Sequence, residues 1–240
     1  MKRLLPILLL FALSTVARAQ DSFDSSMRSY GLVDITTLDS TILVDLKYST
    51  EDNFVGVDMY GDLERAYLVE SFARKVVCAQ QLLRERYPEY TFLIYDAARP
   101  ISVQRAMRRE VEGTPLQSFV ADGSRGGRHN YGVGVDLTIA TLDGKPLDVG
   151  AGFDEFSDAS AVKGTADSAD PTTRTLKVYS DYAKWQVEQG IISEVAAANR
   201  MLLIEIMHEV GLYPYRREWW HFEEIVSMST TRERYRLLDF

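Results

Sequence analysis

A stretch of alternating residues near the middle of the chain constrains the fold more than any other feature. Its apolar positions are Val133, Val135, Leu137 and Ile139. Between them lie Gly134, Asp136 and Thr138. This period of two is typical of a β-strand with one buried face, so Asp136 is expected on the opposite face. The turn residues at 143–146 (DGKP) predict a hairpin to a short strand near Leu147, and therefore an antiparallel arrangement.

Other strands and helices are predicted on both sides of this strand. Strand-like runs rich in β-branched or aromatic residues occupy 41–48, 90–95 and 215–225. Helical spacing of apolar residues is found at 62–86 and 193–210, and a further helix is predicted at 102–111. Ser193 is predicted to cap the last of these helices and Gly211 to end it. With no repeat or linker in the sequence, these patterns predict one α+β domain over residues 20–240, with a central antiparallel sheet flanked by helices.

The first residues have the pattern of a secretory signal peptide. Lys2 and Arg3 precede a largely apolar run of 13 residues, 4–16, and small residues follow at Ala17 and Ala19. The run is shorter than the roughly 20 residues that a membrane-spanning helix needs. We expect residues 1–19 to be removed, which predicts an exported protein, periplasmic or secreted, without a stable membrane anchor. The alternative is an uncleaved anchor, against which the polar residues 20–29 argue.

Charge and cysteine content exclude two classes of protein. The net charge is −8, and removing residues 1–19 would make it −11, because they contain Lys2, Arg3 and Arg18 but no acidic residue. Such an acidic protein is not expected to bind nucleic acid, which requires clustered Lys and Arg. The single cysteine, Cys78, excludes an internal disulfide. We interpret Cys78 as a packing residue of helix 62–86, so stability must come from the hydrophobic core.

Two of the three histidines lie near carboxylates at predicted strand ends. His129 precedes the central strand, Asp136 lies on its polar face, and His221 belongs to the last strand. Zinc prefers imidazole and carboxylate ligands, and a catalytic site uses three protein ligands. His129, Asp136 and His221 are therefore candidate metal ligands, although each alone could be structural. His208 lies in helix 193–210 and is interpreted as structural.

Glu218 and Arg99 are candidate catalytic residues. A metallopeptidase needs a carboxylate beside its water nucleophile, and Glu218 lies three residues before His221. Residues three apart on a regular strand face opposite sides, so we expect Glu218 on the loop entering the strand. Arg99 follows strand 90–95 and either stabilises an oxyanion or is an ordinary loop residue. Trp219 and Trp220 either shield the site from water or belong to the core.

Five segments in order make the chain resemble the D-alanyl-D-alanine dipeptidases of vancomycin resistance and bacterial cell-wall turnover. They are 45–60 (DLKYSTEDNFVGVDMY), 96–100 (DAARP), 129–138 (HNYGVGVDLT), 148–156 (DVGAGFDEF) and 218–222 (EWWHF). The resemblance implies a compact α+β fold, a small enclosed pocket and a D,D-dipeptide substrate. It also implies one zinc ion on His129, Asp136 and His221, with Glu218 as general acid and base and Arg99 stabilising the transition state.

Two positions depart from the family pattern, and two other functions stay open. The family has Ser and Ala where this chain has Gly127 and Gly134, so substrate preference is expected to differ most. A D,D-carboxypeptidase acting on peptidoglycan stem peptides would use the same residues in a more open pocket. A non-catalytic wall-binding module would have no use for Glu218. The small, polar residues 157–175 predict a surface loop, which we interpret as the rim or lid of the pocket.

Overall fold

The fold is built on a five-stranded sheet, and the computed structural model describes it within residues 23–61, 63–162 and 174–240. The strands, in spatial order, are β2 (Leu43–Val44), β4 (Tyr90–Asp96), β5 (Gly134–Thr141), β7 (Glu218–Glu223) and β6 (Tyr213–Tyr215). β2 and β4 are parallel, and the other neighbours are antiparallel. A separate antiparallel pair consists of β1 (Leu32–Asp34) and β3 (Tyr67–Val69). The predicted antiparallel sheet is confirmed, with one parallel edge strand.

β5 lies at the centre of this sheet and is buried on both faces. Val135, Leu137 and Ile139 belong to the hydrophobic core. On the other face, Asp136 and Thr138 line cavities that residues 146–156 help to enclose. The prediction of only one buried face was wrong, because a segment distant from the strand pattern covers the second one. The predicted hairpin turn is confirmed, since the backbone N–H of Leu147 donates to the Ile139 carbonyl at 2.9 Å.

Helices flank the sheet and complete the α+β architecture. They are α1 (which includes 23–29), α2 (Glu70–Arg86), α3 (Ile101–Glu110), α4 (Leu176–Glu188), α5 (Glu194–Glu209) and α6 (Met228–Arg234). α2 packs on β4 and α5, and α5 also contacts α4 and β6. The predicted cap of α5 is confirmed, because the Ser193 side chain accepts from the backbone N–H of Ala196. The described helices include none with the length and apolarity needed to span a bilayer.

Two predicted elements differ from the structure, and one helix was not predicted. The strand predicted at 41–48 is reduced to β2, because Lys47–Ser49 turn into a 3-10 helix that carries Tyr48 toward a cavity. The helix predicted at 62–86 begins at Glu70, because Tyr67–Val69 pair with β1 instead. α4 was assigned to no element in the sequence, although Thr175 caps it and its buried residues follow helical spacing.

Cys78 is exposed, so its interpretation as a packing residue was wrong. The buried face of α2 includes Val76 and Ala79. A helix turns by about 100° per residue, so Cys78 lies well away from Val76 around the helix axis. Its side chain therefore faces solvent.

Two predictions concern residues outside the described part of the chain. The signal peptide at residues 1–19 lies within 1–22, which the structure does not describe. Most of the predicted loop 157–175 lies within 163–173, which is also outside the described residues. Both stay predictions.

Candidate metal centre

The three candidate ligands converge although they come from separate elements. His129 belongs to the 3-10 turn Arg128–Tyr131, and Asp136 of β5 stands directly opposite His221 of β7 in the sheet register. His221 Nδ1 lies 2.9 Å from Asp136 Oδ1 and 2.9 Å from His129 Nε2. The remaining separation, His129 Nε2 to Asp136 Oδ1, is 3.2 Å. All three side chains are buried, so one ligand atom from each points to a common centre.

This donor set fits a zinc ion. Two ligand atoms of one ion cannot be further apart than two metal–ligand bonds, roughly 4.2 Å for zinc with nitrogen or oxygen. Every observed separation is shorter than that. Although burial opposes ionisation, the two imidazoles hold the pKa of Asp136 well below its usual range. Burial lowers the pKa of His221, but the hydrogen bond to Asp136 and the negative charge of the nearby Glu223 raise it to about 10, so an incoming cation displaces a proton there.

The backbone around His129 fixes the ring and leaves it little freedom. His129 Nδ1 lies 2.7 Å from the Ala97 carbonyl oxygen, which orients Nε2 toward the centre. The His129 carbonyl accepts from the backbone N–H of Arg99 at 3.0 Å, and the Asn130 side chain donates to the Arg99 carbonyl at 2.8 Å. Two segments of the chain, 97–99 and 129–130, are thereby held as one unit.

The two glycines that depart from the family pattern have different surroundings. A Cβ atom at Gly134 would lie 3.1 Å from His221 Cε1 and 2.8 Å from Arg128 Cβ, so glycine permits the close approach of these side chains. A Cβ at Gly127 would meet nothing within 4 Å. Gly127 also lines the cavity. The missing side chain at 127 therefore leaves free space at the site.

Glu218 faces the same cavity as the candidate ligands because β7 is irregular. Tyr215 of β6 pairs with Glu218, whereas the preceding residue, Pro214, pairs with Phe222. The register thus shifts by several residues, and Glu218 and His221 line one cavity despite their spacing of three. The prediction that Glu218 lies on a loop was wrong, since it is the first residue of β7. Burial, assisted by Asp136, raises the pKa of Glu218 to about 6.

Arg99 also lines this cavity, held in a fixed position. Its guanidinium donates to Asp96 through Nε at 3.0 Å and through Nη2. Its Nη1 donates to Gln104 Oε1 at 3.0 Å, and its Cζ lies 4.8 Å from the centre of the Tyr48 ring. Asp96 also accepts from the Tyr60 hydroxyl at 2.7 Å. Arg99 is therefore a preorganised positive charge at the wall of the cavity.

Tyr48 and Asp154 line the cavity too, and the sequence analysis assigned them no role. The Tyr48 hydroxyl donates to Asp154 Oδ2 at 2.6 Å. Burial raises the pKa of the Asp154 carboxyl well above its usual range. Among the described residues, Asp154 forms no ion pair and is the only non-glycine residue with a positive φ, 56°. The segments 45–60 and 148–156, singled out as family motifs, were the available signals.

An aromatic cluster of Phe54, Phe119 and Phe156 narrows this cavity of about 410 Å³. The rings of Phe119 and Phe156 stack with centroids 4.4 Å apart, and Phe54 meets Phe156 edge-on at 5.2 Å. The exposed Arg217 lies over the Phe119 ring at 4.6 Å. The volume is near the lower end of the ~300–1,000 Å³ typical of small-molecule sites. The cavity therefore suits a small substrate.

The two tryptophans and the third histidine have different positions. Trp220 lines the cavity with the candidate ligands, whereas Trp219 lines a second cavity beside Thr138. Both indoles are buried, so each belongs to the core as well. His208 packs edge-on against Tyr213 at 4.8 Å and does not line the candidate site.

Comparison with known proteins identifies the family to which the chain belongs. A family model described as "D-ala-D-ala dipeptidase" matches residues 28–177 and 180–236. The D-alanyl-D-alanine dipeptidase of Escherichia coli is 29% identical over 195 residues, which cover 80% of this chain and 83% of the relative. A D-alanyl-D-alanine dipeptidase of Synechocystis is 26% identical over 175 residues, which cover 61% of this chain and 64% of the relative. The chain therefore belongs to the D-Ala-D-Ala dipeptidase family and is a metallopeptidase.

Proposed function

We propose that this protein is an exported zinc-dependent dipeptidase that hydrolyses D-alanyl-D-alanine to two molecules of D-alanine in cell-wall peptide turnover. The observation that carries the proposal is the convergence of His129, Asp136 and His221 in one cavity with Glu218 and Arg99. The similarity to the D-alanyl-D-alanine dipeptidases of Escherichia coli and Synechocystis supports the substrate. The pattern of residues 1–19 supports export.

The chain's own residues supply the steps of an amide hydrolysis. His129, Asp136 and His221 would hold the zinc ion. A bound zinc ion supplies a Lewis acid that activates water and polarises the scissile carbonyl. Glu218 takes a proton from the attacking water and later donates it to the leaving amine nitrogen. Its pKa of about 6 suits both directions of this transfer near neutral pH.

Arg99 stabilises the negative charge that develops on the carbonyl oxygen. A guanidinium is permanently charged, and its fixed orientation avoids reorganisation during the reaction. Asp96 and Gln104 occupy its other donors, so the group is aimed before substrate arrives. Trp220 and the aromatic cluster exclude water from the cavity and thereby strengthen this interaction.

Asp154 is the residue best suited to bind the ammonium group of a free dipeptide. Its carboxylate lines the cavity with no cationic partner among the described residues, and Tyr48 fixes one of its oxygens. A buried carboxyl of this kind gains most from a ligand that carries a positive charge, because the ligand offsets the cost of burying the anion. Recognition of a free amino terminus distinguishes a dipeptidase from an enzyme that trims longer chains.

We expect Asp154→Asn to raise KM for the dipeptide by roughly 10- to 100-fold with a smaller change in kcat. A hydrogen bond to a charged group contributes about 1.5–3 kcal/mol, which corresponds to this range. Steady-state kinetics on D-alanyl-D-alanine and on its N-acetyl derivative measure the effect, since wild-type protein should reject the derivative and the variant should discriminate less. Asp158→Asn, an exposed aspartate nearby, is the matched control. An unchanged KM in Asp154→Asn would contradict this assignment.

The aromatic cluster favours a dipeptidase over a D,D-carboxypeptidase. Phe54, Phe119 and Phe156 come from three separate segments and close one side of the cavity. A stem peptide extends beyond the second residue from its carboxyl end and would have to pass this cluster. The cavity volume of about 410 Å³ leaves little room for such an extension.

We expect Phe119→Ala to increase kcat/KM for a stem pentapeptide relative to the dipeptide by about tenfold or more. Removing a ring of the cluster opens the cavity, and tenfold corresponds to a change of about 1.4 kcal/mol in the relative barriers. Competition between the two substrates, with released D-alanine and shortened peptide quantified separately, measures the ratio. Trp185→Ala, which removes an exposed aromatic ring on α4, should leave the ratio unchanged. An unchanged ratio in Phe119→Ala would show that the cluster does not set substrate length.

The proposal as a whole is tested by supplying three substrates to the zinc-loaded protein lacking residues 1–19. We expect chelator-sensitive release of D-alanine from D-alanyl-D-alanine, and little cleavage of L-alanyl-L-alanine or of a stem pentapeptide. Preferential cleavage of the pentapeptide would support the carboxypeptidase alternative. Zinc binding without cleavage of any substrate would support the wall-binding module. Export is tested by sequencing the amino terminus of the protein from periplasm and medium, where Gln20 is expected first.

A further inference from the structure

A largely buried carboxylate lies beside Nε2 of His221 and lines the same cavity as the candidate metal centre. Glu223 ends β7, two residues after His221, and its side chain is largely buried. Glu223 Oε2 lies 3.6 Å from His221 Nε2. Because residues two apart on a strand share a face, the carboxylate and the imidazole lie side by side. Glu223 thus faces the ring nitrogen that the other ligands leave free.

The two nitrogens of His221 have different neighbours. Nδ1 is 2.9 Å from both Asp136 Oδ1 and His129 Nε2, so it is the nitrogen that would face an ion. A histidine bound to a metal through Nδ1 carries its proton on Nε2. Glu223 is the carboxylate that faces Nε2. At 3.6 Å the contact is slightly longer than a hydrogen bond, and a small rotation of either side chain would close it.

Arg128 holds Glu223 in place and connects it to the other histidine. Its Nε donates to Glu223 Oε2 at 2.9 Å, and both groups are buried. Its two other nitrogens donate to the Thr231 hydroxyl and to the Val226 carbonyl. Arg128 directly precedes His129, so this ion pair joins the two segments that carry the imidazoles. Arg174 adds a second positive charge, with Nη1 3.6 Å from Glu223 Oε1.

We infer that Glu223 is a positioning residue for the metal centre, which accepts the Nε2–H of His221 while Arg128 fixes the carboxylate. The inference rests on the proposed zinc site. Partners of this kind orient a ligand imidazole and increase its basicity, and their loss typically costs about 10- to 100-fold in metal affinity or activity. The Arg128–Glu223 ion pair supports both His129 and His221. A substitution in this pair should therefore disturb the positions of two ligands at once.

The test compares zinc affinity in Glu223→Gln, in wild-type protein and in Glu224→Gln, by competition with a chromophoric chelator. Glutamine keeps the shape of Glu223 but loses its charge. Glu224→Gln is a matched control, because the adjacent side chain pairs with Lys75 at 2.5 Å, away from the site. We expect zinc affinity to fall by roughly 10- to 100-fold in Glu223→Gln. Wild-type affinity is expected in Glu224→Gln, and the d–d absorption of the cobalt-substituted Glu223→Gln protein should change.

Thermal unfolding of the metal-free proteins separates positioning from folding. We expect Glu223→Gln without metal to stay folded at the assay temperature but to unfold at a lower temperature than wild type, because the buried Arg128 loses its carboxylate partner. If Glu223→Gln does not fold, Arg128→Lys keeps the positive charge while losing the forked contacts, and it should bind zinc more weakly than wild type. Wild-type zinc affinity in a folded Glu223→Gln or Arg128→Lys protein would overturn the inference. Absence of zinc binding by wild-type protein would instead overturn the proposed function, and the inference with it.

Discussion

Glu218→Gln should lower kcat by about 10²–10⁴-fold while the protein still binds one zinc ion. Glutamine retains the size of the side chain but cannot accept the proton of the attacking water. Glu218 is not among the three converging ligand atoms, so the metal site should stay intact. Initial rates of D-alanine release and the zinc content after gel filtration measure the two parts of this prediction. Glu205→Gln on the exposed side of α5 is the control.

The pH dependence of the wild-type enzyme provides a second readout of Glu218. Burial raises the pKa of Glu218 to about 6, and the base must be deprotonated to act. The rate should therefore be maximal above this pH and fall at lower pH as the carboxylate is protonated. A cation bound nearby lowers the pKa of the carboxylate, so the midpoint of this acidic fall should then lie below pH 6. This fall in rate at acidic pH should be absent from the residual activity of Glu218→Gln. A Glu218→Gln protein with wild-type kcat would exclude this residue as the base.

His221→Ala should remove both zinc binding and turnover. The imidazole is one of three ligands, and its loss also leaves the Asp136 carboxylate buried with one partner fewer. A bound metal contributes several kcal/mol to transition-state stabilisation, so we expect activity to fall by on the order of 10³-fold or more. Metal content by atomic absorption and rates of D-alanine release measure the effect.

His208→Ala is the matched control for that experiment. His208 packs against Tyr213 away from the cavity, so its loss should leave zinc content and kcat unchanged. A His221→Ala protein that retains one tightly bound zinc ion and full activity would contradict the ligand assignment. Loss of zinc in His208→Ala would indicate that general destabilisation, rather than ligation, explains the result.

The parts of the site that could be predicted from sequence were those carried by local patterns. The alternation at Val133–Ile139 located β5 and assigned Asp136 to the face opposite the core-facing residues. The rarity of histidine drew attention to His129 and His221, which the structure brings together with Asp136. The family motifs predicted the α+β fold and the dipeptidase family. These features depend on residues that are close in sequence or unusual in type.

The features that escaped prediction depend on contacts between distant segments. Tyr48 meets Asp154 only because a 3-10 turn replaces the end of the expected strand. Glu218 and His221 share a cavity through the irregular pairing of β6 and β7, which no periodicity reveals. The Arg128–Glu223 pair joins residues 95 positions apart. In each case tertiary packing, rather than local propensity, determines the neighbour.

The most direct test of the zinc-dependent site is a titration of metal-free protein with zinc while D-alanine release from D-alanyl-D-alanine is followed. We predict no turnover without metal, a linear rise with added zinc, and saturation at one ion per chain. The same titration of His221→Ala should stay at the baseline. Full activity in the metal-free protein, or a lack of activity on the dipeptide at one bound zinc per chain, would contradict the account.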